Sequence, residues 1–314
     1  MDPSLILEPQ DPHEAMFFVL PYLKLLELVM ISQVCRPLRD AVENDVLLWQ
    51  HIFVEGPSSL RIDDCVLLKI TSKAQGRLRT LALMNCVRIT DDGLHQVIVN
   101  NPHIVKLFVP FCTQLTPDGI VKAVERLTDL HEHNLKSIRL QDIHNITKEH
   151  LKTLCSCLGL NSDEQKQPPN IYLGFEHLRS FKRNGVDGAI DIGVCPKCDS
   201  VRTVFDCPRE TCGKRGRWSP LSACRGCFHC IPRCEECGGC NIFEEYEESA
   251  CLDYLCLECW LRLPKCNLCN RPYCSRHACM SGSSSNAGLG GFICEDCSAE
   301  IMDGRAFTGW RIYE

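Results

Sequence analysis

Nineteen of the chain's 25 cysteines lie between Cys195 and Cys297. Read in order, the metal-ligand types fall into pairs: Cys195/Cys198, Cys207/Cys212, Cys224/Cys227, Cys234/Cys237, Cys256/Cys259, Cys266/Cys269, Cys274/His277 and Cys294/Cys297. Seven of these eight leave two residues between ligands, and only Cys207/Cys212 is wider. A two-residue gap lets one tight turn aim both side chains at a single ion, with sulfur–metal distances of about 2.3 Å. Two such turns complete a tetrahedron. Eight pairs therefore predict about four closed structural zinc sites. One pairing scheme joins Cys195/Cys198 to Cys224/Cys227, and Cys266/Cys269 to Cys294/Cys297. Cys230, Cys240, Cys251, Cys279 and His229 are spare donors that could replace a ligand, so the pairing stays open at this point.

Other chemistries fit this array less well. A thioredoxin-like site needs one CxxC in a βαβ context. A disulfide scaffold needs a secretory route, and the first ten residues, MDPSLILEPQ, lack the basic flank and long apolar run of a signal peptide. Iron–sulfur clusters also use thiolates, but the paired spacing and His277 favour zinc. Thiolate-rich closed sites are structural, whereas catalytic zinc keeps an open position. No apolar run of 18 residues occurs, so no membrane span is expected. The formal charge is −6, and each four-thiolate zinc site makes the loaded chain more acidic. That disfavours general nucleic-acid affinity, and "GKRGR" (Lys214, Arg215, Arg217) reads as a solvated basic loop. Cysteine is counted within the 45% apolar residues, so ordinary apolar residues are fewer than that figure suggests. The ions supply the missing stabilisation, and the metal-free segment should be unfolded.

The elements that must carry these thiols are legible upstream. LRTLALMNCVRITDDGL from Leu78, IVKLFVPFCTQLTPDGI from Ile104 and LKSIRLQDIHNITKEHL from Leu135 share one apolar pattern, with starts 26 and then 31 residues apart. The insertion in the longer repeat falls at Leu130–Asn134, and RIDDCVLLKI from Arg61 reads as the helical half of an earlier repeat. Self-similarity at this period signals stacked repeats. Each unit gives a strand (Leu81 and Leu83; Leu107 and Val109; Ile138 and Leu140), a turn and a helix. Cys86 and Cys112 sit at the turn and read as small core residues, with Ile143 in the third repeat. His131, His133 and His144 read as loop or surface histidines. "IYLGF", from Ile171, is placed as a possible last strand. The pattern resembles the cysteine-containing leucine-rich repeats found behind F-boxes.

Residues 12 to 53 place apolar side chains at helical spacing (Phe17, Leu20, Leu25, Leu28, Val29, Val34, Leu38), with Pro21 and Pro37 suited to helix starts. Three short helices are expected. So small and apolar a segment should share its hydrophobic face with a partner. Pro12, Glu14, Val19-Leu20, Glu27-Leu28, Val34-Cys35, Arg39 and Leu48-Trp49 resemble the F-box motif, which docks on the Skp adaptor of SCF ubiquitin ligases. Asp11 and Leu38 depart from the usual leucine and tryptophan. The resemblance implies that Pro12, Leu20, Leu25, Leu28, Val34, Leu38 and Trp49 carry the adaptor interface or its support.

The expected fold is multidomain α+β. It comprises an F-box within residues 1–57 (core 12–53), a short α/β leucine-rich-repeat arc over 58–160, a connecting segment over 161–194, and a zinc-stabilised region over 195–314. The whole resembles plant Skp-interacting F-box proteins with a cysteine-rich tail. That likeness implies a non-catalytic substrate-receptor subunit, with the Skp adaptor, a cullin beyond it and a protein substrate as partners, in nucleus or cytoplasm. No nucleophile–base constellation or phosphate loop competes with it. Two alternatives remain open. One is a RING-type ligase through Cys195/Cys198, Cys227-x-His229, Cys234/Cys237 and Cys256/Cys259, which are nearly in RING order; the other is a zinc-dependent interaction scaffold.

Overall fold

A computed structural model describes residues 12–130, 134–160, 170–172, 188–209, 224–240, 249–274, 277 and 292–302. Two compact units emerge. One is built within residues 1–168 together with 187–194 and 200–203, and the other within 169–186, 195–199 and 204–314.

In the first unit, α1 (Ala15–Val19), α2 (Leu25–Ile31) and α3 (Arg36–Asn44) are joined by a 3₁₀ turn at Leu20–Tyr22 and followed by another at Val46–Trp49. Pro37 stands in the first turn of α3, where its missing N–H costs nothing. The segment His51–Phe53, expected to be helical, is instead part of β1 (His51–Val54). Its buried Ile52 and Val54 alternate with less buried neighbours, which is strand periodicity.

β1 begins a four-stranded parallel sheet with β2 (Thr80–Leu83), β3 (Lys106–Phe108) and β4 (Ser137–Arg139), in simple sequential order. The registers pair His51 with Thr80, Thr80 with Lys106 and Lys106 with Ser137. Each strand is followed by a helix: α4 (Asp64–Ser72), α5 (Asp91–Asn100), α6 (Pro117–Leu130) and α7 (Lys148–Cys157). All four strands and helices of the stack are thus present, the first pair belonging to a repeat whose strand lies in the hook's own sequence.

One apolar core runs through the unit, from Leu20, Leu28 and Trp49 to Leu154 and Ile192. Cys86 and Cys112 are wholly buried in it, and the Cys112 thiol donates to the Leu83 carbonyl at 3.2 Å. Beyond β4 the sheet is extended by residues 188–191, not by Ile171. Ile138 N–H donates to the Ala189 carbonyl at 2.8 Å, and Asp191 accepts from Leu140 and Gln141 N–H at 2.8 and 3.1 Å. Ile171 pairs with Asp206 within the other unit; the last three residues of "IYLGF", His131 and His133 lie outside the described residues.

A side-chain ladder ties successive repeats. Thr90, Thr116 and Thr147 precede α5, α6 and α7. Asp64 at the start of α4 accepts from Thr90 N–H and Oγ1–H at 3.0 and 2.6 Å, and Asp91 at the start of α5 accepts from Thr116 N–H and Oγ1–H at 2.9 and 2.6 Å. Each carboxylate approaches through the space left by a glycine, Gly93 or Gly119.

After β5 (Ile192–Val194), β6 (Val201–Phe205) pairs antiparallel with it through Val201–Thr203. Val204 and Phe205 pair with β7 (Gly226–Cys227) in the second unit. That unit also holds two short helices, α8 (Leu257–Arg262) and α9 (Glu295–Met302). Among the described residues, no helix is long and apolar enough to cross a membrane.

Candidate metal centres and adaptor face

The CxxC pairs are built by two kinds of backbone. In Cys195/Cys198, Cys234/Cys237 and Cys266/Cys269, the residue after the second cysteine turns back. Its N–H donates to the carbonyl of the first at 2.9, 2.9 and 3.0 Å. That residue adopts a positive φ in each case: Asp199 (58°), Gly238 (69°) and Asn270 (56°). Only Asp, Asn and Gly enter this region cheaply, which explains their presence there. At Gly238 a side chain is also excluded sterically, since a β-carbon would stand 1.8 Å from the Tyr172 carbonyl oxygen. Cys256/Cys259 and Cys294/Cys297 instead open helices. Cys256 is the residue before α8, and Trp260 and Ser298 donate back to the Cys256 and Cys294 carbonyls at 2.8 and 2.9 Å.

These turns bring the donors into five groups: Cys195, Cys198, Cys227 and Cys230; Cys234, Cys237, Cys256 and Cys259; Cys266, Cys269, Cys294 and Cys297; Cys251, Asp253, Cys274 and His277; and Cys207, Cys224 and Cys240. Within each group the donor atoms lie within 4.8 Å of one another. Measured sulfur–sulfur separations are 3.9 Å (Cys198–Cys227), 3.8 Å (Cys237–Cys256), 3.7 Å (Cys269–Cys294) and 3.7 Å (Cys207–Cys240). A disulfide would need about 2.05 Å. Two sulfurs bound tetrahedrally at about 2.3 Å from one ion stand about 3.8 Å apart, so the observed separations match a shared ion.

Two further features suit anionic sulfur. The first residue of the second pair donates its N–H to a first-pair sulfur in three groups: Cys227 to Cys195 (3.3 Å), Cys274 to Cys251 (3.4 Å) and Cys294 to Cys266 (3.3 Å). Hydrogen bonds of this kind favour the thiolate. Within groups one thiol also gives its proton's hydrogen bond to another. The hydrogen bond from Cys234 pulls Cys237 down to about 5, and that from Cys274 pulls Cys251 down to about 5, while Cys234 and Cys274 are pushed far up. A metal ion bound at such a group would replace those shared protons.

The partition corrects the expected pairing in one place. Cys195/Cys198 is joined by Cys227/Cys230, and Cys224 belongs with Cys207 and Cys240. The run Cys224, Cys227, Cys230 contains two overlapping CxxC frames, and β7, ending at Cys227, selects the later one. The scheme joining Cys266/Cys269 to Cys294/Cys297 matches the observed grouping. Cys230, Cys240 and Cys251, held as spares, are all in groups, and the described residues form five groups where about four sites were expected. Asp253 was missed altogether; the signal was its place two residues after an otherwise unpaired Cys251. Among the described residues, His229 joins no group. Cys212 and Cys279 lie outside the described residues. The RING-like series through His229 also fails on order. A cross-braced RING shares one ion between its first and third pairs, whereas Cys195/Cys198 goes with the second pair and Cys234/Cys237 with the fourth.

At the other end of the chain, the residues expected to serve the adaptor divide by exposure. Leu20, Leu28, Leu38 and Trp49 are buried within this chain. The Trp49 indole N–H donates to the Val42 carbonyl at 2.8 Å, and Lys73 lies 4.7 Å over its ring. Pro12 and Leu25 are half-buried, and Val34 is 70% exposed. The same segment exposes four further apolar side chains that the sequence did not single out: Phe18 (75% exposed), Tyr22 (82%), Met30 (69%) and Leu47 (66%). The motif positions therefore hold the helices, and the face they display is made largely of residues between them.

The described residues thus comprise a helical hook, a stack of βα repeats and a cysteine-rich unit with convergent donors. Comparison with known proteins places it more narrowly. The F-box-like family model matches residues 12–55, and the model of the At3g27290 F-box protein C-terminal domain matches residues 191–268. F-box protein SKIP28 of Arabidopsis thaliana is 40% identical, covering 92% of this chain and 91% of its own length. F-box protein SKIP14 and F-box protein At3g27290, also of Arabidopsis thaliana, are 37% and 36% identical over 82% and 79% of this chain, which spans 56% and 65% of their lengths. The chain belongs to the F-box protein family. A chain from the crystal structure of the yeast Rad7 and Elc1 complex aligns at 18% identity over 37% of this chain and 38% of its own, with a TM-score of 0.26, too slight a likeness to bear on the fold.

Proposed function

We propose that this chain is the substrate-receptor subunit of an SCF-type ubiquitin ligase. The observation that supports this most directly is the apolar surface of Phe18, Tyr22, Met30, Val34 and Leu47, displayed within the F-box-matched residues 12–55. Monomeric surfaces rarely expose apolar groups in such density without a partner. On this reading the hook docks on a Skp-type adaptor, the adaptor joins a cullin, and the receptor works wherever that assembly resides, in nucleus or cytosol. The βα stack is read as a short leucine-rich-repeat arc, serving as spacer and partial recognition surface. The cysteine-rich unit adds the remaining surface, which a short arc is too small to supply.

The receptor itself performs no chemistry in this account. It holds a substrate lysine near the conjugating enzyme and so converts a bimolecular encounter into a local one. The ions are read as structural zinc, since thiolate-rich, closed, tetrahedral donor sets suit it. They shape the unit and take no part in transfer. Co-purification of the full chain with a Skp adaptor tests the reading. Met30→Asp and Val34→Asp should abolish capture while leaving the thermal transition unchanged. Capture that survives both substitutions overturns it.

A further inference from the structure

The donors from Cys234 to His277 follow one another in an alternating order. Cys234/Cys237 is followed after thirteen residues by Cys251-x-Asp253, after two more by Cys256/Cys259, and after fourteen more by Cys274/His277. The first and third pairs form one group, and the second and fourth form another. We propose that the eight donors from Cys234 to His277 form a cross-braced, RING-type two-ion module, in which Cys251, Asp253, Cys274 and His277 hold the second and more easily exchanged zinc. This rests on the zinc reading above and adds to it the coupling of two centres and their unequal hold.

Geometry carries the fourth group. A single carboxylate oxygen, Asp253 Oδ2, stands 2.9 Å from His277 Nδ1, 2.9 Å from Cys274 Sγ and 3.6 Å from Cys251 Sγ, and Cys274 Sγ lies 3.3 Å from His277 Nδ1. Two sulfurs, one oxygen and one nitrogen thus converge as a complete four-donor set. Leu252, at φ 61°, turns the backbone so that Cys251 and Asp253 face the same point. The Ser249 hydroxyl donates to the Asp253 carbonyl at 2.9 Å and lies 3.4 Å from Cys251 Sγ, so it braces both the turn and one of its donors.

The brace is physical, not only topological. Leu255, wholly buried between the second and third pairs, packs with Cys234, Cys256 and Cys259 of one group and Cys274 of the other in one small core. The Glu235 N–H, inside the first pair, donates to the Tyr254 carbonyl at 2.9 Å, between Asp253 and Cys256. Losing either ion loosens a turn on which the other depends. The two differ in donor chemistry: one has four thiolates, the other two thiolates, a carboxylate and an imidazole. Zinc favours sulfur, so the mixed set holds it less firmly. The series read from Cys195 therefore exists two pairs further along, with Asp253 where a histidine was sought at His229.

Metal counting on the full-length zinc-loaded protein tests this, with thiol alkylation mapped by mass spectrometry during exposure to a chelator. Asp253→Asn should carry one fewer ion per chain, and its Cys234, Cys237, Cys256 and Cys259 should be alkylated faster, with Cys195, Cys198, Cys227 and Cys230 unchanged. Asp253→Cys, with a third thiolate, should keep the full count and retain its ions longer than the unmodified chain. In that chain Cys251 and Cys274 should be the first thiols of the module to become reactive. An unchanged ion count in Asp253→Asn, or unchanged reactivity at the four-thiolate centre, overturns the proposal. A folded chain with no zinc at all would instead overturn the zinc reading beneath it.

Discussion

A β-carbon on Gly93 would stand 2.0 Å from Asp64 Oδ1, and one on Gly119 would stand 2.0 Å from Asp91 Cγ. These glycines are present because the preceding helix's carboxylate occupies their side-chain space while it binds the next threonine. Gly93→Ala or Gly119→Ala should push the carboxylate off and cost on the order of 1–3 kcal/mol, the usual range for a forced fit. Asp64→Ala or Asp91→Ala should cost about 1–2 kcal/mol, the value of a charged acceptor at a helix start. Urea unfolding would read both. The third repeat shows the alternative. There His150 takes the glycine's place, and its ring meets Asp118 at 3.2 Å in an exposed pair, so Asp118→Ala should change stability little. The same economy of residue type governs the metal turns, where Gly238→Ala would meet the Tyr172 carbonyl.

Among the elements, α2 has two functions that substitution can separate. Leu28 faces the core and Met30 faces outward. Leu28→Asp should unfold the hook, so any loss of adaptor capture would follow from misfolding. Met30→Asp should remove capture with the transition temperature intact, as should Val34→Asp beyond the helix. Circular dichroism beside the pull-down distinguishes the two. β1 serves two purposes as well, since it ends the hook and begins the sheet. Hook and repeats share one apolar core, so trimming the hook at Trp49 should destabilise the repeats, which a truncation melted alone would show.

On the zinc reading, metal and apolar burial support different parts of the whole molecule. The first unit has a continuous core of aliphatic residues, whereas the small cores of the second are built mostly of cysteine. Strong chelation should erase amide exchange protection at Gly238, Asn270 and Trp260 while α4 to α7 keep theirs. Acid should act like the chelator. Each thiol must lose its proton to bind zinc as thiolate, so affinity falls as pH falls and protons compete. Metal release and loss of fluorescence signal from Trp260 should therefore track each other on acid titration.

The repeat period, the buried turn cysteines, the hook and the presence of paired thiols were all legible in the sequence. These are local signals: a periodic apolar pattern, a motif, and a spacing that one turn can satisfy. The structure decided what depends on distant chain. Cys224, Cys227 and Cys230 present two equivalent frames, and only the pairing of β7 with β6 assigns Cys227 to one centre and Cys224 to another. His51–Phe53 reads as the end of a helical segment until β2 supplies its parallel partner. Asp253 looks like an ordinary loop acid until His277 and Cys274 arrive beside it from more than twenty residues away. Spacing can say that a turn will aim two ligands at one point, but which two turns meet there is set by the chain folding between them.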